Sequence, residues 1–283
     1  MKFRNILFPV DFSEESRRIA PAVRAFQSHF AARLTLFYVV DVPESWRDVA
    51  EQCAGVLNLP ILRRLCRERL RQFAAECFPG SPYEIAEGEG SPGHGICEYA
   101  DRNRIDLIMM AAHGHGLIRS TLGSVTTKVL HRAGCPVIAF GAEARIGEKM
   151  PARILYGLDP FEEADALTRA GSLARELGAT LSAVYAIPDF AGTPEEQYER
   201  KRLSGPAEKK LQERIAKLQG EAGVSASVEL AGGEVENVIA ETARRQSAEM
   251  IVLGCGHVHG ILGGIRSHVA PVIRAAPCPV MVL

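Results

Sequence analysis

The chain predicts an α/β fold of two similar domains, each a parallel sheet with helices on both faces. Three observations carry this expectation. The chain repeats itself: "AAHGHGLIRSTLGSVTTKVLHRAGCPVIAF" at residues 111–140 returns as "GCGHVHGILGGIRSHVAPVIRAAPCPVMVL" at 254–283. Short apolar runs rich in strand formers alternate with stretches of helical spacing. Those runs are near-continuous rather than interleaved with polar residues, as strands buried on both faces require.

The repeat sets the domain count. Met110 pairs with Leu253, Ser124 with Ser267 and Cys135 with Cys278, each 143 residues apart. Upstream, "RNILFPVDFSEES" from Arg4 matches "ARILYGLDPFEEA" from Ala152 at an offset of 148, and "LTLFYVV" at Leu34 matches "LSAVYAI" at Leu181 at 147. Small loop insertions account for that drift, and a period near half the chain is a duplicated domain. The domains are expected at 1–145 and 150–283, divided within "GAEARIGEKMPA", where charge and glycine break the pattern.

Within the first copy "NILFPV" predicts a strand, "SEESRRIAPAVRAFQSHF" a helix with a capping-type start, and "LTLFYVV" a second strand. From Leu57 to Phe78 a helical stripe holds Leu59, Leu62, Leu65, Cys66, Leu70 and Phe73. Arg63, Arg64, Arg67, Arg69 and Arg71 fall mostly off it, as a solvated face would place them. A shorter strand near Tyr83 to Ala86 and a helix from about His94 to Arg102 come next. The strand "DLIMMAA", a Gly/His loop, a helix from about Ser124 to Arg132 and the strand "PVIAF" close the copy.

Composition narrows the function. With 33 basic and 34 acidic residues the formal net charge is -1, so no nucleic-acid or membrane surface is expected. No apolar run approaches the ~20 residues of a membrane helix, and "MKFRNILFPVDF" turns acidic too early for a secretory signal, so a cytoplasmic protein is expected. Seven cysteines without a CxxC pair fit reduced thiols, and Cys135 and Cys278 read as small buried hydrophobes. No Ser-His-Asp set, paired-carboxylate motif or Walker lysine is present. Cys255, His257 and His259, with His268 nearby, have ligand-type side chains, but C-x-H-x-H fits no common zinc site and zinc is not expected.

Parallel sheets take ligands beyond the carboxyl ends of their strands, where the strand order changes direction. The Gly/His loop leaves "DLIMMAA" at that edge. Gly123 and Ser124, before the following helix, read equally as a phosphate cradle or as an ordinary helix cap.

The full series "PVDFSEES", "YVVDVP", "EGEGSPGHGI", "DLIMMAAHGHG", "LGSVTTKVL" and "CPVIAF" resembles the universal stress protein family, and the resemblance covers both halves. It implies a five-stranded parallel sheet per domain, of the adenine nucleotide alpha hydrolase-like type. It also implies that the domains are paired through their last strands, "PVIAF" and "PVMVL", as an antiparallel junction inside one chain. One branch of the family carries an ATP site with the pattern G-x2-G-x9-G-[ST]; the other lacks the pattern and does not bind ATP. The first copy reads Ala111, Gly114, Gly123, Ser124, matching three of four positions, with eight residues in the connecting loop where the pattern has nine. The second reads Gly254, His257, Arg266, Ser267 and matches two.

By the same resemblance, an Asp at the end of the first strand and backbone groups at the end of the second hold the adenosine. The first copy has Pro9, Val10 and Asp11, with Val39 at the adenine position; the second keeps Asp159 but has Gly157 and Ala186. The implied site is therefore Pro9, Val10, Asp11, Val39, Ala111, Gly114, Gly123, Ser124 and Val125. The second copy is expected to be empty of ATP, with Ser267 capping a helix, Asp159 turning the chain and Gly254 permitting the exit from the fourth strand. The alternative there is a different anion site built on Arg266 and His257.

The function implied is a stress-response sensor or switch that takes ATP or another adenine nucleotide, with magnesium as an optional companion. Slow ATP hydrolysis is the most an enzyme reading allows, since the sequence names no general base. The alternative is a scaffold without nucleotide that acts through protein contacts. Partners on these readings are the nucleotide, another protein and, beyond the intramolecular pseudo-dimer, a second copy.

Overall fold

The computed structural model describes residues 1–41, 59–113, 122–161, 163–187, 194–254 and 266–283. Two compact units divide the chain, with main spans Lys2–Met150 and Pro151–Met281. The first contains β1 (Asn5–Pro9), α1 (Glu14–Phe30), β2 (Arg33–Val40), α2 (Leu59–Cys77), β3 (Glu84–Glu89), α3 (Pro92–Arg102), β4 (Leu107–Ala111), α4 (Ser124–Arg132) and β5 (Val137–Phe140).

These strands lie in the order β3-β2-β1-β4-β5, and every pair is parallel, with Ile6 opposite both Leu34 and Leu107 and Ile108 opposite Val137. Neighbouring strand residues point to opposite faces, which explains the unbroken apolar runs. Phe8 meets Phe73 and Phe78 of the α2 region on one side. Leu7, one residue earlier, joins Met110, Ile96, Cys97 and Val129 of β4, α3 and α4 on the other. At the edge, β3 is only half buried, and its Glu87 and Glu89 pair with Arg67, at 2.7 Å, and Arg63 of α2. A charged edge of this kind resists pairing with a foreign strand.

Four expectations shift. The α3 helix begins at Pro92 rather than near His94, because Ser91 is extended and Pro92 takes the first turn, where its missing amide costs nothing. The third strand runs on to Glu89. On α2, Leu70 and Phe73 are buried, but Leu65 is 52% exposed although it lies on the apolar stripe. Part of the arginine face is bound to β3 rather than simply solvated.

The second unit repeats the plan with β6 (Arg153–Gly157), α5 (Ala164–Leu177), β7 (Thr180–Ile187), α6 (Pro194–Ala222), β8 (Ser227–Gly232), α7 (Val235–Arg245), β9 (Met250–Leu253), α8 (Arg266–Ala275) and β10 (Val280–Val282). Its order, β8-β7-β6-β9-β10, is the same when read from the corresponding edge. Ile154 stands opposite Leu181 and Met250, as Ile6 stands opposite Leu34 and Leu107 in the first.

Candidate functional site

In the first unit the strand order changes direction between β1 and β4, whose carboxyl ends are Pro9 and Ala111. Sheets of this topology take ligands in the crevice outside those ends. Pro9 pairs in register with Phe37, and Val10, nearly buried, donates its amide to Phe37 O at 2.8 Å. The chain then leaves the sheet at Asp11.

Asp11 Oδ1 accepts three hydrogen bonds, from Ser13 N at 3.0 Å, Ser13 Oγ at 2.5 Å and Ser16 Oγ at 2.6 Å. Both serines are buried, and Ser13 is also the N-cap of α1, its hydroxyl accepting from Ser16 N at 3.2 Å. Convergent donors on a charged acceptor fix the rotation of the carboxylate. Between Asp11 and Ser13, Phe12 takes φ +63°, a left-handed conformation that costs a bulky residue about 1–3 kcal/mol. The surrounding packing holds it there. Its buried ring lies 4.8 Å from the Tyr38 ring and 6.2 Å from that of Phe73, and the Arg69 guanidinium sits 4.6 Å from its centroid.

Across the crevice, Gly123 caps α4 and donates its amide to Ala112 O at 2.9 Å. Its φ of −61° suits any residue, so the need for glycine is one of space: a Cβ there would lie 3.2 Å from the Ala112 carbonyl oxygen. Thr126 Oγ1 adds hydrogen bonds to Ala111 O at 3.2 Å and Ala112 O at 3.3 Å, stitching the first turn of α4 to the end of β4. Ser124 is exposed at the helix start, while Val125 packs against the core. Free amides and the positive end of the dipole make such a terminus favourable to an anion.

Val39 stands at the end of β2, where the resemblance calls on backbone groups rather than a side chain. Its side chain is turned into the core, close enough to α3 that a Cβ on Gly95 would approach it to 3.3 Å. That packing leaves its main chain as the part free of the core. Gly114 lies outside the described residues, as do Cys255, His257 and His259.

His113, just past β4, was not singled out by the sequence reasoning. The residue is 9% exposed, and neither ring nitrogen has a hydrogen-bond partner among the described residues. Burial holds its pKa below the ordinary 6.5; Glu15 opposes that shift and Arg18 adds to it. Among the described residues no three ligand-type side chains cluster to hold a metal ion. Burial pushes the Cys135 and Cys278 thiols up to about 12, in keeping with their expected role as packing groups.

The comparisons with known proteins agree with this fold. The model of the universal stress protein family matches residues 2–140 and again residues 150–283. The chain belongs to the universal stress protein family. A universal stress protein of Synechocystis is 30% identical over 137 residues, covering 48% of this chain and 84% of that protein. One from Methanocaldococcus jannaschii is 31% identical over 147 residues, covering 48% and 81%. Along nearly the full length, the fold is shared with a universal stress protein from Archaeoglobus fulgidus, at a TM-score of 0.60 and 19% identity over 99% of this chain and 96% of that one. It is shared also with a functionally unknown protein from Pseudomonas aeruginosa, at 0.63 and 18% over 99% and 92%.

The two universal stress protein domains differ at the positions just described. Asp159 Oδ1 accepts from Phe161 N at 2.9 Å, turning the chain as expected. At the offset of 148, however, Phe161 and Ala164 replace Ser13 and Ser16, and Pro160 replaces Phe12. Its α5 starts two positions later, after Glu163, with no side-chain cap. At the offset of 143, Val269 stands for Thr126, and Arg266 for Gly123. Ser267 is the second residue of α8 rather than its cap, and the side chains of Arg266 and Ser267 lie outside the described residues. Gly157 has a packing reason for replacing Pro9, since a Cβ would come within 2.6 Å of Leu253 Cδ2. The resemblance implies Asp11 but not the serines that hold it, for which the spacing Asp-x-Ser-x-x-Ser is the available signal.

Proposed function

We propose that the first domain binds an adenine nucleotide, ATP or another, in the crevice beyond β1 and β4, as a sensor or switch in a stress response. The single observation that supports this most is the held carboxylate of Asp11, with three donors on one oxygen in the first domain, whereas Asp159 in the second accepts only the amide of Phe161 among the described residues. Asp11 would accept from the ribose hydroxyls, the main chain near Val39 would meet the base, and the start of α4 at Gly123, Ser124 and Val125 would meet the phosphates. The second domain serves as a companion without nucleotide.

Mass spectrometry of small molecules released on denaturing the purified protein tests the ligand class; recovery of no adenine nucleotide, together with no ATP binding by calorimetry, would overturn it. For the site, Gly123→Val pushes a branched side chain against the Ala112 carbonyl and displaces the start of α4. Its affinity for ATP should fall at least about 10-fold, the equivalent of 1.4 kcal/mol. Calorimetry showing parental affinity in that variant would remove α4 from the site.

A further inference from the structure

We propose that Phe12 is a positioning residue for the nucleotide site: its left-handed backbone turns Ser13 inward to hold Asp11, and α2 locks that conformation through Arg69. This inference rests on the nucleotide reading for its ligand, but its structural part stands on the two domains of this chain alone.

The domains form an internal control. In both, the aspartate after the first strand accepts the amide two residues on, Ser13 N in one and Phe161 N in the other. That turn therefore needs no left-handed residue. The difference lies in where the next side chain goes. After Phe12, at φ +63°, Ser13 is 5% exposed, caps α1 and gives its hydroxyl to Asp11. After Pro160, whose ring holds φ near −65°, Phe161 is 73% exposed, and α5 begins uncapped. The left-handed residue thus brings the cap inward, and with it the donors that aim the carboxylate.

The following helix also reaches the turn differently. Arg69 of α2 lies over the Phe12 ring, whereas Arg214 of α6 donates from Nε to the Pro160 carbonyl at 2.9 Å. A guanidinium over an aromatic face adds attraction without consuming a backbone acceptor. In the first domain it seals the ring beneath Tyr38 and Phe73, and so maintains the strain in Phe12.

The experiment separates backbone conformation from ring packing. Phe12→Gly and Phe12→Asn accept positive φ without the ring, Phe12→Leu and Phe12→Val keep apolar bulk but resist positive φ, and Phe12→Pro reproduces the second domain. ATP affinity by calorimetry should stay within about 3-fold of the parent for Gly and Asn, and fall at least about 10-fold for Val and Pro. Thermal stability should instead follow ring loss, dropping in all five. In the unliganded protein, hydrogen exchange at the Ser16 amide should remain slow in the Gly and Asn variants and become fast in the Pro variant. An affinity order that follows side-chain bulk, or a slow Ser16 amide in Phe12→Pro, overturns the proposal. Failure of the parent to bind ATP overturns the nucleotide reading instead, and the exchange measurement still decides whether Phe12 positions Asp11.

Discussion

His113 shows how a single buried side chain becomes measurable. Burial disfavours the charged imidazole, so its folded pKa lies below the unfolded value near 6.5. As pH falls through 6.5 the unfolded chain gains a proton that the folded chain refuses, so the contribution to stability is complete above that pH and declines below it. The decline from one such group is at most about 1.4 kcal/mol per pH unit. Urea unfolding at pH 7.5 and pH 5.5 should show a smaller pH effect in His113→Gln than in the parent; equal effects would mean that His113 titrates normally. Sequence alone could not reveal this residue, because "HGHG" gives no sign of which histidine faces inward. Asp11 was reached only through the family resemblance, which places an Asp at the end of the first strand. Ser13 and Ser16 were visible only as a helix start, because their second role depends on the unusual conformation of Phe12.

Helix α1 carries the clearest test at the level of an element. Its start is capped by Ser13, and Ser13→Ala should cost about 0.5–2 kcal/mol in chemical denaturation. Its end is closed by Ala31 at φ +49°, while α5 ends at Gly178 with φ +63°. An alanine pays for the left-handed conformation that glycine adopts freely, so Ala31→Gly should stabilise the first domain by up to about 1 kcal/mol. A lower unfolding midpoint in that variant would contradict the cap geometry. Element order and type were legible throughout the first domain, because periodicity reports burial directly. Boundaries were less so: the Gly-rich "EGEGSPGHGI" hid both the end of β3 and the start of α3. Here the glycines answer to packing, with a Cβ on Gly88 meeting Phe37 at 2.8 Å and one on Gly93 meeting Lys128 at 2.7 Å. The exposed Leu65 was illegible for the complementary reason, since an apolar stripe shows which side of a helix could be buried but not how far its neighbours extend.

Across the whole molecule, the duplication was the most legible feature, because offsets in a sequence survive changes that erase a site. Calorimetric titration should find one equivalent of ATP per chain, abolished by Asp11→Ala and unaffected by Asp159→Ala; two equivalents would restore a site to the second domain. That asymmetry also has a direction. Recreating the held Asp and the start of α4 in the second domain takes at least Pro160→Phe, Phe161→Ser, Ala164→Ser, Val269→Thr and Arg266→Gly together. None of the five is useful alone: a serine at position 161 cannot turn inward while Pro160 fixes the backbone, and a phenylalanine at position 160 has no serines to deliver. The proline after Asp159 therefore acts as a lock, since no single substitution beside it rebuilds the inward turn that Phe12 makes in the first domain.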